Sequence, residues 1–222
     1  MLMTLKGGLI VSCQALEDEP LHGAQFMERM ALAAKAGGAA GIRANGYADI
    51  KAIKASVDLP VIGIHKIKLP GYDAFITPTK QAAQTVYDAG ADIIAIDATT
   101  QSRPEKLEEL IAFIKTTLGT YVMADVSTAQ EGLRAQELGC DLVGTTLSGY
   151  TQETADHMQE PDFTLLQDLV STLHVPVVAE GRIHTPQQAK QALLLGAFCV
   201  VVGGAITRPQ EITRRFIEGM KT

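Results

Sequence analysis

Two side chains stand where side-chain chemistry needs them. Lys66 is the only lysine that directly ends an apolar, β-branched run, in P-V-I-G-I-H-K (60–66). Above Ile62 and Ile64 it would be desolvated. It could then shed its proton near neutral pH and act as a base or as an imine-forming nucleophile. Glu180 is the only glutamate in such a place, at the end of V-P-V-V-A-E (175–180). It could orient or protonate Lys66, or transfer a proton itself. The bland readings are a salt-bridged structural lysine and a carboxylate paired with Arg182. Arg43 and Asp125 close two further apolar runs. Arg43 could bind a carbonyl or hydroxyl oxygen and Asp125 could accept from substrate hydroxyls, or the two could form an internal ion pair.

A second signal lies near the C-terminus. A-E-G-R-I-H-T-P (179–186) puts Gly181 and Arg182 after one run, and V-V-V-G-G-A-I-T-R-P (200–209) puts Gly203 and Gly204 after the next, followed by a short helical stretch and Arg208. Glycines there let backbone N–H groups approach an anion, and a helix start favours negative charge. The alternative is a pair of tight turns. Metal chemistry is not expected, because His22, His65, His157, His174 and His184 show no paired ligand spacing. His65 alternates with Lys66 and should face away from it, toward packing.

These residues need a scaffold that brings them together. Apolar runs at 9–13, 39–42, 61–64, 92–96, 121–124, 141–144, 175–179 and 199–202 read as strands. Helical segments alternate with them at 25–36, 47–57, 79–89, 104–118, 128–138, 162–173, 186–195 and 209–220. Gly37-Gly38, Gly90, Gly139 and Gly196 end helices, and Thr185-Pro186 and Arg208-Pro209 begin them. Strands that are apolar on both faces and alternate with helices predict a parallel sheet. Eight such units in 222 residues fit one (β/α)8 barrel domain, a TIM barrel, spanning 1–222. A doubly wound open sheet is the alternative, but no G-x-G-x-x-G follows the first strand. In a barrel the strand ends share one rim, where Gln14, Arg43, Lys66, Asp97, Asp125, Thr145, Thr146, Glu180, Arg182 and Arg208 would converge.

The totals narrow the function further. A net charge of −6 argues against nucleic acid or an anionic membrane surface as partner, yet permits one local positive pocket for a small anion. No apolar run approaches the ~18 residues of a membrane span, and M-L-M-T-L-K-G-G carries no cleavage-site pattern, so no leader is expected. Cys13, Cys140 and Cys199 are odd in number and far apart, which predicts core thiols in a reducing cytoplasm. Together the residues predict a phosphorylated substrate, a Lys–Glu acid/base pair and either proton transfer beside a carbonyl or a Schiff-base aldol reaction.

At these same residues the chain resembles the N-acetylmannosamine-6-phosphate 2-epimerase family. V-S-C-Q-A-L-E-D-E-P-L (11–21), G-I-R-A-N-G (41–46), P-V-I-G-I-H-K (60–66), M-A-D-V-S-T-A-Q-E-G (123–132) and G-T-T-L-S-G-Y-T (144–151) carry the resemblance, with 179–186 and 200–209. It implies a (β/α)8 barrel that interconverts N-acetyl-D-mannosamine 6-phosphate and N-acetyl-D-glucosamine 6-phosphate in sialic acid and N-acetylmannosamine catabolism, without metal, nucleotide or other cofactor. It further implies catalytic Lys66 and Glu180, sugar contacts from Gln14, Arg43, Asp125 and Arg208, a phosphate held around Gly181, Arg182, Gly203 and Gly204, and a homodimer. The stretch after Lys66, Ile67-Lys68-Leu69-Pro70-Gly71-Tyr72, departs from the family's usual charged, polar turn. A Schiff-base phosphosugar aldolase and a non-catalytic phosphosugar-binding barrel are the competing readings.

Overall fold

The computed structural model describes residues 1–155 and 160–221. His157 lies outside the described residues. Eight parallel strands close into a barrel in sequence order: β1 (Leu9–Cys13), β2 (Gly41–Asn45), β3 (Val61–Ile64), β4 (Ile93–Asp97), β5 (Tyr121–Asp125), β6 (Leu142–Gly144), β7 (Val177–Glu180) and β8 (Cys199–Val202). β8 returns to β1 through the pairing Ile10↔Val201. The helices between them are α1 (Ala24–Ala36), α2 (Gly46–Ser56), α3 (Lys80–Asp88), α4 (Leu107–Ala112), α5 (Ala129–Glu137), α6 (Phe163–Thr172) and α7 (Pro186–Leu194). A one-turn α8 (Gly204–Thr207) and a longer α9 (Pro209–Gly219) follow β8.

Two apolar layers result from the strand period of two. Outward residues such as Val11, Ile42, Ile94, Ile96, Val143 and Val200 pack under the helices. Inward residues Ile10, Ile62, Ile64, Ile93, Met123, Leu142, Val178, Cys199 and Val201 fill the barrel. A 3-10 turn at Leu2–Leu5, not expected from the sequence, stops the lower end with Leu5, fully buried against this inner layer. Gly41 makes the room for it: a Cβ there would lie 2.9 Å from the Leu5 side chain.

Most boundaries match expectation, and the departures have physical causes. The second strand runs over 41–45, not 39–42, so Arg43 lies inside it and not beyond its end. Its charge reads as a strand end in sequence only because its buried partners are distant in the chain. Asp97, Asp125 and Glu180 are likewise the last residues of their strands. The helix expected over 104–118 begins at Leu107 and winds as a π-helix over Phe113–Leu118, ending at Gly119 in a left-handed conformation. Helices α5 and α7 begin at capping boxes built by Thr128 with Glu131 and by Thr185 with Gln188. The three cysteines are free and buried, and burial pushes their thiols up to about 12. Among the described residues, no helix is long and apolar enough to cross a membrane.

Candidate active site

Strand parity decides which side chains can meet at the rim. Counting in steps of two from the inward residues, Ile10 leads to Ser12 and Gln14, Ile64 to Lys66, Met123 to Asp125, Leu142 to Gly144 and Thr146, Val178 to Glu180, and Val201 to Gly203. Of these, Ser12, Gln14, Lys66, Thr146, Glu180 and Gly203 reach a cavity of about 370 Å³ at the C-terminal end of the barrel. Gln14, Arg43, Lys66, Thr146, Glu180, Gly181, Arg182, Gly203, Gly204 and Arg208 line it. Phe75, Ile76, Leu147, Tyr150 and Ile183 supply apolar wall.

Lys66 enters just after β3, with its backbone fixed on both sides. Its N–H donates to Asn45 Oδ1 at 2.8 Å, and it pairs antiparallel with Ile76. The loop that departs from the family's usual turn folds back as a short hairpin, with Ile67 N–H on the Phe75 carbonyl at 2.9 Å. That reversal brings Phe75 and Ile76 to the cavity wall. No hydrogen bond or ion pair holds the Lys66 Nζ among the described residues. Burial first, then the charges of Arg43 and Arg208, lower its pKa to about 8, against an opposing pull from Glu180 and Asp125. The salt-bridged reading of Lys66 is therefore not what the structure adopts.

Glu180 is paired, but with Arg43 and not with Arg182. Arg43 Nη1 donates to Glu180 Oε2 at 2.7 Å, and both terminal nitrogens donate to Asp125, Nη2 to Oδ2 at 2.5 Å and Nη1 to Oδ1 at 3.1 Å. Burial and the nearby Asp125 charge raise Glu180 to about 7, although Arg43, Thr146 and Lys66 favour its ionised form. Arg182 donates instead to the carbonyls of Ser148 (2.5 Å) and Glu160 (2.8 Å), and its guanidinium lies 5.5 Å from the centre of the Tyr150 ring.

Two rim expectations are corrected by depth. Asp125 is fully buried behind Arg43, with both oxygens occupied by Arg43 and Oδ1 also by Thr146 at 2.6 Å, so it does not line the cavity. Asp97 is also off the cavity wall, held by Thr99 at 2.7 Å and Arg103 at 3.4 Å. Gln14 does face the cavity; its amide nitrogen donates to Ser12 at 2.8 Å and its buried Oε1 has no partner among the described residues. Arg208 is balanced by Glu19 at 2.7 Å and Glu211 at 3.5 Å. Gly203 caps α8, whose first N–H groups have no intrahelical acceptor. Among the described residues, no cluster of His, Cys, Asp and Glu could hold a metal ion. His65 lies off the cavity wall, half-buried, as its parity requires.

Sequence reading missed Ser12, Phe75, Tyr150 and His184 on the cavity wall. Ser12 was accessible by counting back two from Gln14. The others come from loops, where no period applies.

A closed barrel with a proton-poised lysine and a protonatable glutamate facing one cavity defines a class: a (β/α)8-barrel enzyme that moves protons on a small substrate. The chain belongs to the N-acetylmannosamine-6-phosphate epimerase family; the family described as "Putative N-acetylmannosamine-6-phosphate epimerase" matches residues 27–222. It is 52% identical over 224 residues to the "Putative N-acetylmannosamine-6-phosphate 2-epimerase" of Caldanaerobacter subterraneus, covering 100% of this chain and 94% of that one. The structure of the N-acetylmannosamine-6-phosphate 2-epimerase from Clostridium perfringens superimposes with a TM-score of 0.96 at 50% identity, covering 98% of this chain and 95% of that one. Thiamine phosphate pyrophosphorylase from Pyrococcus furiosus shares the fold alone, at a TM-score of 0.63 and 18% identity over 100% of this chain and 99% of that one.

Proposed function

We propose that the protein epimerises N-acetyl-D-mannosamine 6-phosphate and N-acetyl-D-glucosamine 6-phosphate at C2, a step in amino-sugar catabolism. The observation that carries this reading is one pair of groups. Lys66 is lowered to about 8 and Glu180 raised to about 7, and both line the same cavity. Two groups whose pKa values converge on neutrality can exchange a proton with a carbon acid in both directions.

The reacting atom is C2 of the open-chain sugar, made acidic by the C1 aldehyde. Neutral Lys66 takes the C2 proton, and the electron pair moves into C1=C2 and onto the C1 oxygen, giving an enolate whose C2 keeps its acetamido nitrogen. Arg43, the cation at the cavity floor, stabilises that oxygen. Protonated Glu180 returns a proton to the other face of C2, and the carbonyl re-forms. Asp125 acts through Arg43, which it holds in place, and Gln14 and Arg208 contact the sugar. The phosphate sits on backbone N–H groups around Gly181, Arg182, Gly203 and Gly204. The Arg182 side chain is committed to the carbonyls of Ser148 and Glu160, so its share of the phosphate contact is its backbone N–H. Anchoring by this remote group orients C2 between the two bases.

Proton NMR of N-acetyl-D-mannosamine 6-phosphate in D₂O, with no added metal or nucleotide, tests this directly. The gluco epimer should accumulate with deuterium at C2. No conversion would sink the reading and bring the aldolase and binding-protein alternatives forward.

The pH profile follows from the same pair. The active form holds one proton between Lys66 and Glu180. Below about 7 both groups are protonated, and above about 8 neither is. A plot of kcat/KM against pH should therefore be a bell with limbs near 7 and 8, values that belong to the pair. Glu180→Gln should remove the alkaline limb, leaving a residual activity that falls only on the acid side as Lys66 gains its proton. It should also move the remaining one below 8, because Glu180 raises the Lys66 pKa. An unchanged bell in that variant would rule Glu180 out.

A homodimer in a reducing cytoplasm completes the proposal. Helix α9 buries none of its residues, leaving Phe216, Ile217 and Met220 exposed. Leu193 and Ile206 are exposed beside a second apolar pocket between α7 and α8. A second copy would cover such surface. Light scattering should report twice the 23.7 kDa chain mass, and Phe216→Glu should lower it; a monomeric wild type would refute the dimer.

A further inference from the structure

Two adjacent threonines at the end of β6 both grip Glu180. Thr145 Oγ1 donates to the Glu180 carbonyl at 2.8 Å and accepts the Glu180 N–H at 3.0 Å, so it clamps the backbone. Thr146 reaches the carboxylate. Its Oγ1 lies 3.2 Å from Glu180 Oε2 and 2.6 Å from Asp125 Oδ1. Arg43 Nη1 touches the same two oxygens at 2.7 and 3.1 Å. These four atoms close a ring at the cavity floor: two carboxylate oxygens bridged on one side by a guanidinium nitrogen and on the other by a hydroxyl.

The two bridges differ in chemistry. A guanidinium nitrogen has two hydrogens and can serve both oxygens at once, in any state of the site. A hydroxyl has one hydrogen and two lone pairs, and its rotor turns freely. When Glu180 is ionised, the hydroxyl can donate to Oε2. When Glu180 carries its transferable proton on the cavity-facing Oε1, Oε2 needs only the Arg43 hydrogen, and the Thr146 hydroxyl turns its own hydrogen to Asp125 Oδ1. Asp125 keeps both bonds to Arg43 throughout. The Oε2 corner is thus satisfied in both protonation states without any movement of the glutamate, and Oε1 has no partner among the described residues and is free for the cavity.

We propose that Thr146 is a positioning residue for Glu180, a rotor that lets the carboxyl gain and lose its proton in a fixed orientation. The proposal rests on the proton-transfer role of Glu180 given above. The other groups facing Glu180 are Arg43 from β2, Lys66 after β3, Asp125 from β5 and the Cys199 thiol from β8. Arg43 can only donate to it and Asp125 is taken up by Arg43 and Thr146, while among the described residues neither the Lys66 amine nor the Cys199 thiol makes a hydrogen bond to it. The adjacent Thr145, bound to backbone only, should hold the strand end without sensing the proton.

The test compares Thr146→Val, Thr146→Ser and Thr145→Val. In Thr146→Val, kcat should fall about tenfold or more with KM within about twofold, because a bond to a charged group is lost. The acid limb of kcat/KM should move up by about one pH unit, since the lost bond favoured ionised Glu180. Thr146→Ser should restore both, and Thr145→Val should leave the limb in place. A wild-type limb in Thr146→Val, or a serine variant as impaired as valine, overturns the proposal. A ¹³C-glutamate NMR titration of wild type and Thr146→Val, with Thr146→Ala as substitute if valine does not fold, reads the Glu180 carboxyl without substrate. It separates the two ideas: wild type without turnover fails the epimerase reading, whereas an unmoved Glu180 midpoint in the variant fails Thr146 alone.

Discussion

Lys66→Met leaves a folded protein whose kcat/KM is lower by roughly 10³- to 10⁴-fold, the upper range for a single general base. The size follows from how much of the lysine is competent. With its pKa near 8, about one Lys66 in four is neutral at pH 7.5; at the ordinary lysine value it would be about one in a thousand. Methionine keeps the packing against Ile64 and Ile76 and removes only the amine. Because Nζ bonds to no described group, its loss strands no partner, and thermal stability should stay within a few degrees of wild type. Circular dichroism melts and the epimerisation assay read the two effects separately. Activity within tenfold of wild type would remove Lys66 from the mechanism. Borohydride added to wild type with substrate completes the test: the epimerase should survive it, whereas an imine-forming aldolase would be trapped.

The second large effect is on stability. Arg43→Met should cost about 3–5 kcal/mol, the usual penalty for removing one partner of a buried pair. Arg43 is 1% exposed and Asp125 0%, so water cannot replace the guanidinium. For a chain of this length the melting temperature should drop by about 6–20 °C. The loss should also depend on pH in a defined direction. Without Arg43 the folded-state pKa of Glu180 rises further, because Arg43 favours its ionised form. A carboxyl with a raised folded pKa weakens the fold as pH climbs from the unfolded value, about 4.3, to the folded one. The variant should therefore be nearest to wild type in mild acid and furthest from it above neutrality. A melting temperature unchanged at pH 8 would contradict this account. Lysine is no rescue, since one ammonium cannot reproduce the two-nitrogen grip on Asp125.

The alternation of apolar runs with helices made the barrel legible, and the shared rim of a parallel barrel gathered the polar residues that follow those runs at one mouth. Depth was not legible. Asp97 and Asp125 have the same parity as Lys66, yet they stop short of the cavity while Lys66, past the end of its shorter strand, reaches it. That difference is set by the stagger of strands around a closed sheet, a property of the pairing and not of any one run. The partner of Glu180 was also hidden. Arg182 is two residues away in sequence, and Arg43 is 137. Only the closed barrel places β2 opposite β7. Phe75 and Tyr150 were missed for a different reason: loops carry no periodicity to count along.

The ring at the cavity floor has a consequence for how the chain reaches its folded state. It ties β2 to β5 and β7, with partners 82 and 137 residues apart. A half-barrel made of the first four strands would contain Arg43 with neither carboxylate, and one made of the last four would contain both carboxylates with no cation. Each half therefore carries an uncompensated charge in its interior, and only closure of the whole circuit neutralises it. Partial barrels are penalised at the residues around which the proposed chemistry is built. Such distant contacts form late, because the entropy of closing long loops must be met before they return anything. The assembled site is thus a checkpoint on completed folding: a molecule that can bind and turn over substrate is one whose eight strands have already met.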